Sequence, residues 1–321
     1  MFKVAITDFT FSSLEIEKGI IEAAGGQVVS GQCKTPELLI PLVSGVDAVI
    51  TQFAPVNADV VRSMERARVI VRYGVGYDNV ACDVARERKI PVCNIPDYCV
   101  DEVADHTLAF ILAMTRHLRA NCAKLLENEW GLGVEVDQMR ALCDQTVGVI
   151  GLGRIGSAVV ERLKPFRPKI LVADPFVSAE AVAMQGCVLM TPEELLAESD
   201  VVTLHCPSTD ITRGLINEQN LRSMKPGSIL INVGRGDLIE QDALVSALKS
   251  GHLGAAALDV FDPEPLCADS PLLQMNNVVV SSHVASVSTK AIHRLRETAA
   301  RLAVAAVRDE PLQNIVNQVG P

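Results

Sequence analysis

The sequence predicts an α/β protein made of two doubly wound parallel-sheet domains with a cleft between them. Three observations carry that expectation. Short apolar, β-branched runs alternate with helix-like stretches at βα spacing, and they do so in two separate series. The chain has 321 residues, and at roughly 150 residues per domain that length favours about two domains. Apolar residues reach 49% while aromatics stay at 4%, so the core must be aliphatic, as suits parallel strands covered on both faces.

In the first series the expected strands are 3–7, 27–29, 48–51, 69–72 and 91–94, with helical stretches at 13–24 and 58–64. From 100 to 128 the text becomes one unbroken 3.6-residue pattern, whose first turn is acidic (Asp101, Glu102, Asp105) and matches the positive end of a helix dipole. One long helix is expected here, connecting the domains or dimerising. The second series gives a strand at 147–150, a glycine turn and a helix, then strands at 169–173, 201–205, 228–232, 255–258 and 278–281. The final helix, 288–308, is assigned back to the first domain. That domain is then discontinuous, residues 1–99 plus 288–321, with 100–287 as the second.

Charge and composition exclude several classes. A formal net charge of −10 and the lack of any Lys/Arg run argue against nucleic-acid binding. No apolar run reaches about 18 residues, so no membrane span is expected. The nine cysteines are scattered singly without a CxxC pair and read as reduced core residues. The N-terminal MFKVAITDF lacks a secretory pattern and reads as a first strand, which makes the expected location cytoplasmic. No metal site is expected: Glu102 and His106 stand at i,i+4, but a solvated, dipole-matched helical turn is the plainer account.

The strongest chemical signal is Gly151-Leu-Gly153-Arg-Ile-Gly156, between a strand and a helix. In such a turn the first glycine permits the bend, the second lets backbone N–H groups approach a pyrophosphate, and the third lets helix and strand pack closely. Asp174 follows the next strand, about 18 residues on, where a carboxylate accepts hydrogen bonds from a ribose diol and repels a 2′-phosphate. No Arg or Lys occurs in the next twelve residues, PFVSAEAVAMQG, to compensate. NAD(H) is therefore expected over NADP(H), on a Rossmann-like second domain.

Three later segments carry charge at strand ends. Arg235 lies between two glycines after 228–232, Asp259 and Glu264 lie in LDVFDPEP, and His283 follows 278–281 directly. Reduction of a 2-oxo acid needs a planar cation to hold the carboxylate and polarise the ketone, and a proton donor near neutral pH. A carboxylate beside the imidazole orients it and favours its charged form. Arg235, Glu264 and His283 form the expected catalytic set.

Taken in order, RYGVGYDNV, VCNIPDYCVDEVADHTL, VGVIGLGRIG, VVTLHCP, MKPGSILINVGRG, ALDVFDPEP and SHVAS resemble the D-isomer-specific 2-hydroxyacid dehydrogenase family over essentially the whole chain. Within it, the branch of C-terminal binding proteins and their bacterial relatives is nearest, with phosphoglycerate dehydrogenases as neighbours. The resemblance implies two Rossmann-like or flavodoxin-like domains and NAD as cofactor. It implies that Arg235 binds substrate, His283 donates the proton and Glu264 partners it. It also implies that Arg154 and Ile155 meet the pyrophosphate and that His205, Cys206, Pro207 and Thr212 line the adenine side. Val233, Asp259 and Ser286 would lie along the nicotinamide half, and Arg72, Gly74, Val75 and Gly76 would take the substrate, the last three through backbone N–H groups. A homodimer through the 100–128 region is implied as well.

Three departures qualify the match. Thr51 stands where phosphoglycerate dehydrogenases carry an Arg, Ser286 stands where the corepressor branch has a Trp, and no appended regulatory domain is expected after Pro321. The expected function is hydride transfer between NAD(H) and a small D-2-hydroxy acid or 2-oxo acid pair, such as 3-phosphoglycerate, glyoxylate or hydroxypyruvate. An NAD(H)-sensing, corepressor-like binding protein is the alternative.

Overall fold

In the computed structural model, residues 1–320 are described and the chain divides into two compact units, Met1–Cys99 with Ser288–Pro321, and Val100–Val287. The first unit holds five strands: β1 (Phe2–Ile6), β2 (Gly26–Ser30), β3 (Ala48–Thr51), β4 (Ile70–Arg72) and β5 (Val92–Cys93). They pair in parallel in the order β2-β1-β3-β4-β5, the flavodoxin-like arrangement. Every residue of β3 and β4 is buried, because helices cover both faces. On one face Val49, Ile70 and Val92 pack with Leu39, Val43, Val60 and Val61. The other face receives the C-terminal helix Thr289–Val307, which also packs along the helix Glu15–Ala23. The last residues cover the open edge of β5: Val316 N–H donates to Val92 O (2.8 Å), and Asn317 accepts from Val92 N–H (3.0 Å).

Between the two helices lies a buried ion pair. Arg296 donates from Nε and NH2 to the two carboxylate oxygens of Glu17 (2.8 and 2.7 Å), and NH2 also reaches Ser13 O (2.6 Å). Tyr73 Oη donates to the same carboxylate at 2.9 Å. The Glu17 side chain is 0% exposed, so its charge is satisfied wholly by these partners.

The second unit holds seven strands: β6 (Thr146–Ile150), β7 (Lys169–Ala173), β8 (Val188–Leu189), β9 (Val201–Leu204), β10 (Ser228–Asn232), β11 (Leu253–Leu258) and β12 (Val278–Val280). Their order is β12-β11-β10-β9-β6-β7-β8, all parallel. The order reverses between β6 and β9, and ligands of open α/β sheets bind outside the carboxyl ends at such a switch point. The core is aliphatic, as the composition requires: Leu171, Leu195, Leu204, Leu230, Leu258 and their neighbours. The two-residue β8 is too short to leave a periodic signal in the sequence.

One expectation fails. The region 100–128 is not a single helix but two, Val100–Thr115 and Leu118–Leu126, with His117 between them in the left-handed conformation at φ 48°. The Thr115 hydroxyl bonds back to Ile111 O (2.7 Å), a contact that competes with helix continuation. The second helix buries no residue, and the following segment folds back on it through Gly133 N–H to Asn121 Oδ1 (2.8 Å) and His117 Nε2 to Gln138 O (3.1 Å). The acidic first turn also does more than suit the dipole, because Asp101 and Asp105 both grip Arg162 of the helix Arg154–Leu163 (2.8 and 2.6 Å). The cysteines are a second correction: all nine carry free thiols, but Cys122, Cys143 and Cys267 are exposed rather than in the core. Among the described residues no helix is long and apolar enough to cross a membrane.

Removing one member of a buried pair strands the other charge, at about 3–5 kcal/mol. Glu17→Gln is therefore expected to lower the unfolding free energy by that amount in urea denaturation. A loss below about 1 kcal/mol would show that Arg296 finds water or another acceptor.

Candidate active site

The loop after β6 is shaped by backbone crowding. Gly151 has φ +95°, and a Cβ there would lie 2.7 Å from Cys206 N, because the loop after β9 runs against it; His205 N–H donates to Ile150 O at 2.7 Å. A Cβ on Gly156 would lie 2.0 Å from Gly151 O. Gly153 is different: its Cβ would meet nothing within 4 Å, so protein packing gives no reason for glycine there. The helix beginning at Arg154 has neither a capping side chain nor an acid in its first turn, which leaves its N–H groups and positive dipole end unneutralised. Open space before a bare helix N-terminus fits a dinucleotide pyrophosphate. Arg154 is exposed in that first turn and Ile155 is half-buried beside it.

Asp174, at the end of β7, braces this loop. Its Oδ2 accepts from Leu152 N–H (2.7 Å) and its Oδ1 from Phe176 N–H (2.9 Å), leaving further lone pairs for a ribose diol. Sequence reasoning gives it the ribose alone. After β9, burial pushes the His205 imidazole down to about 4, and its Nε2 lies 2.9 Å from Thr203 Oγ1. Burial likewise pushes the Cys206 thiol up to about 11, so it is no thiolate nucleophile near neutral pH. Thr212 closes the turn by donating to Pro207 O at 2.6 Å.

The charged set gathers at the carboxyl ends of β10, β11 and β12. Buried Asn232 accepts from Gly234 N–H (3.0 Å) and donates to Arg235 O (2.6 Å), which shapes the turn after Val233. Arg235 NH1 donates to Gly234 O at 2.8 Å. Glu264 sits in the turn after β11, where Oε1 accepts from Phe261 N–H (3.0 Å) and Oε2 lies 2.7 Å from His283 Nδ1. Burial raises the Glu264 pKa, but the hydrogen bond and charge of His283, the Phe261 N–H and the charge of Arg235 outweigh it and hold the carboxyl below its ordinary value. An ionised Glu264 accepts only, so Nδ1 of His283 carries a proton and Nε2 is the nitrogen not engaged by Glu264.

His283 itself has φ +56°, a strained backbone for a non-glycine residue. Asp259 holds it there. The Asp259 carbonyl accepts from His283 N–H (2.7 Å), its Oδ1 from Ser281 Oγ and Val284 N–H (2.9 Å), and its Oδ2 from Ala285 N–H (2.9 Å). With 1% of its surface exposed, this carboxylate serves the loop that carries His283 and leads to half-buried Ser286. His106, to which the sequence assigns no role, lies 3.1 Å from Ser281 Oγ and steadies the same loop. The acid closing one strand and the Ser-Ser-His closing the next are the signal for that clamp.

In the first unit, Arg72 ends β4 with 7% exposure. Its NH1 donates to Tyr73 O (2.9 Å), and its guanidinium carbon stands 5.6 Å from the centre of the Phe53 ring. Gly74, at φ +150°, makes room for it, since a Cβ would lie 1.5 Å from Arg72 NH1. Asn94 donates to Val75 O (2.6 Å) and Ile95 N–H to Gly74 O (2.9 Å), which pins the loop. Among the described residues no acceptor is recorded for the N–H groups of Val75 and Gly76. Thr51 is wholly buried and bonds to Asp8 Oδ1 (3.4 Å).

Residues 108–285 match the family model described as the NAD binding domain of the D-isomer specific 2-hydroxyacid dehydrogenases. Among curated relatives, the D-3-phosphoglycerate dehydrogenase of Mycobacterium tuberculosis is 36% identical over 307 residues, covering 94% of this chain and 57% of that protein. This chain thus spans little more than half that relative's length. The glyoxylate reductase of Korarchaeum cryptofilum is 36% identical over 285 residues, covering 88% of this chain and 86% of its own. Among solved structures, the D-lactate dehydrogenase of Aquifex aeolicus, complexed with NAD and lactic acid, superposes at TM-score 0.88 with 28% identity over 99% of both chains. The TT0316 protein of Thermus thermophilus superposes at 0.86 with 32% identity over 98% of this chain and 99% of its own.

Two outcomes follow from the crowding and the burial. Gly156→Ala is expected to displace the glycine loop and weaken NADH binding at least about tenfold by fluorescence titration, through lost alignment of the helix N–H groups; unchanged affinity would sink that account. His205 is depressed from 6.5 to about 4, so as pH falls through this window the unfolded chain takes up a proton that the folded chain refuses, and stability is lost. Between about pH 7.5 and about pH 5, His205→Asn should lose about 2 kcal/mol less unfolding free energy than the parent.

Proposed function

The chain belongs to the D-isomer-specific 2-hydroxyacid dehydrogenase family, and from that membership we propose that it is an NAD-dependent oxidoreductase interconverting a small 2-oxo acid and its D-2-hydroxy acid. The observation that carries this reading is the 2.7 Å contact of His283 Nδ1 with Glu264, beside Arg235, in the unit that contains the family's NAD-binding domain. The bound nicotinamide supplies or accepts the hydride.

In the direction of reduction, His283 Nε2–H passes its proton to the substrate oxygen. Glu264, held ionised, keeps Nδ1 protonated and stabilises the imidazolium. Arg235 pairs with the substrate carboxylate and polarises the carbonyl, a task suited to a planar, permanently charged fork. Asp259 and His106 are positioning residues for His283. Gly151, Gly153, Gly156 and the first turn at Arg154 and Ile155 cradle pyrophosphate, Asp174 takes the ribose diol, and His205 to Pro207 with Thr212 border the adenine. Val233 and Ser286 lie toward the nicotinamide. In the first unit, Arg72 and the N–H groups of Gly74, Val75 and Gly76 take substrate oxygens, and the unpaired N–H groups of Val75 and Gly76 support that role.

We also read the chain as a homodimer through the 100–128 region. The supporting observation is a set of exposed apolar residues on its second helix, with Leu118 57%, Leu125 53% and Leu126 80% exposed. A reducing, cytoplasmic setting suits three exposed free thiols.

His283→Gln is expected to lower kcat for NADH-dependent reduction of 2-oxo acids by about 100- to 10,000-fold, while the NADH dissociation constant stays within about twofold. Arg235→Ala should act in the same way, with a raised KM for the oxo acid. A parallel collapse of NADH affinity would refute this division of labour. Silence of the parent chain toward every oxo acid, with NADH still bound, would favour an NAD(H)-sensing binding protein.

A further inference from the structure

We propose that the substrate's side chain is apolar and uncharged, branched or aromatic, and is received by the aromatic loops of the first unit. This rests on the dehydrogenase reading and narrows its substrate class.

The loops that leave the carboxyl ends of β1, β3, β4 and β5 span residues 7–14, 51–57, 72–80 and 94–99. The chain has one Trp, three Tyr and eight Phe. All three tyrosines and three of the phenylalanines fall in these short segments: Phe9, Phe11, Phe53, Tyr73, Tyr77 and Tyr98. A chain poor in aromatics has gathered them at the end of a sheet where doubly wound folds bind ligands.

The loops are also tied into one rim. Asp8, buried after β1, accepts from the N–H groups of Gln52, Phe53 and Ala54 (2.9, 2.6 and 3.1 Å). Asn79, after β4, donates to the carbonyls of Gln52 and Ala54 (3.3 and 2.8 Å). These contacts fix Phe53 and Tyr77 on neighbouring loops, where they remain 45% and 39% exposed. Beneath them Phe11 meets Tyr73 edge-on at 5.4 Å.

Charge in the rim points the same way. Arg72 is the one Lys or Arg in the four segments, against Asp8, Asp78 and Asp97. Its guanidinium carbon stands 5.6 Å from the centre of the Phe53 ring, so the cation and the aromatic share one wall of the rim. Two further cations on the C-terminal helix already have partners: Arg296 pairs with Glu17 (2.7 Å), and Arg294 donates to Asp97 O in the rim (3.2 Å). Lys34 follows the edge strand β2 and is exposed. At the end of β3 stands Thr51, neutral and buried against Asp8. Arg72 and the loop N–H groups serve the substrate oxygens common to all 2-oxo acids; a phosphate dianion or a second carboxylate in the side chain would meet the aromatic rings and acidic side chains of these loops, at a desolvation cost without compensation.

The test is a kinetic comparison of the full chain with NADH and four acids: 4-methyl-2-oxopentanoate, phenylpyruvate, glyoxylate and 3-phosphohydroxypyruvate. The branched or aromatic acid should exceed both others in kcat/KM by about tenfold or more, the scale on which buried methylenes discriminate. Phe53→Ala should lower kcat/KM for the preferred acid by more than it lowers that for glyoxylate; Phe53→Leu, which retains apolar volume, should fall between. Preference for 3-phosphohydroxypyruvate or glyoxylate, or an equal effect of Phe53→Ala on all acids, would overturn the inference and leave the dehydrogenase reading standing. Inactivity toward all four, with NADH bound, would overturn both.

Discussion

A single buried carboxylate governs the geometry of the loop that carries His283 in the second unit. Asp259 directs both carboxylate oxygens and its own carbonyl to one segment, 281–285. That segment must hold a histidine at positive φ, a conformation that persists only where the surroundings over-determine it. Four hydrogen bonds from one residue supply that determination. Once the backbone is set, the imidazole reaches Glu264 at 2.7 Å, and the bond to that carboxylate keeps a proton on Nδ1.

The same logic recurs in the first unit with different residues. Asp8 collects three consecutive N–H groups after β3, much as Asp259 collects those after β12. Both acids follow strands at the carboxyl edge of a parallel sheet, where the chain must turn sharply and its N–H groups lose their ladder partners. A buried carboxylate there is an internal acceptor for orphaned donors, and rigid loops result. Asp174 performs the third instance, bracing the glycine turn through Leu152 N–H.

Electrostatics separates the roles further. Glu264 stays ionised because cationic neighbours overcome its burial, whereas His205, enclosed without a counter-charge, stays neutral. Two titratable groups at carboxyl ends of one sheet, after β9 and β11, are thus pushed by their surroundings, one to its charged and one to its neutral form. In the first unit, the carboxyl-end loops set one buried arginine beside an aromatic ring.

The strands were legible from composition and period because a strand buried on both faces must be continuously apolar, and β3, β9 and β10 read that way from end to end. The glycine turn was legible because backbone crowding at Gly151 and Gly156 leaves no alternative residue. Hydrogen bonds between distant segments leave no local trace. The break at His117 comes with the Thr115 back-bond and with 133–138 folding back on the second helix, and the periodic pattern runs straight through it. The clamp by Asp259, the brace by Asp174 and the contact of His106 with Ser281 likewise join residues far apart in sequence, and only tertiary structure assigns a buried polar group its partner.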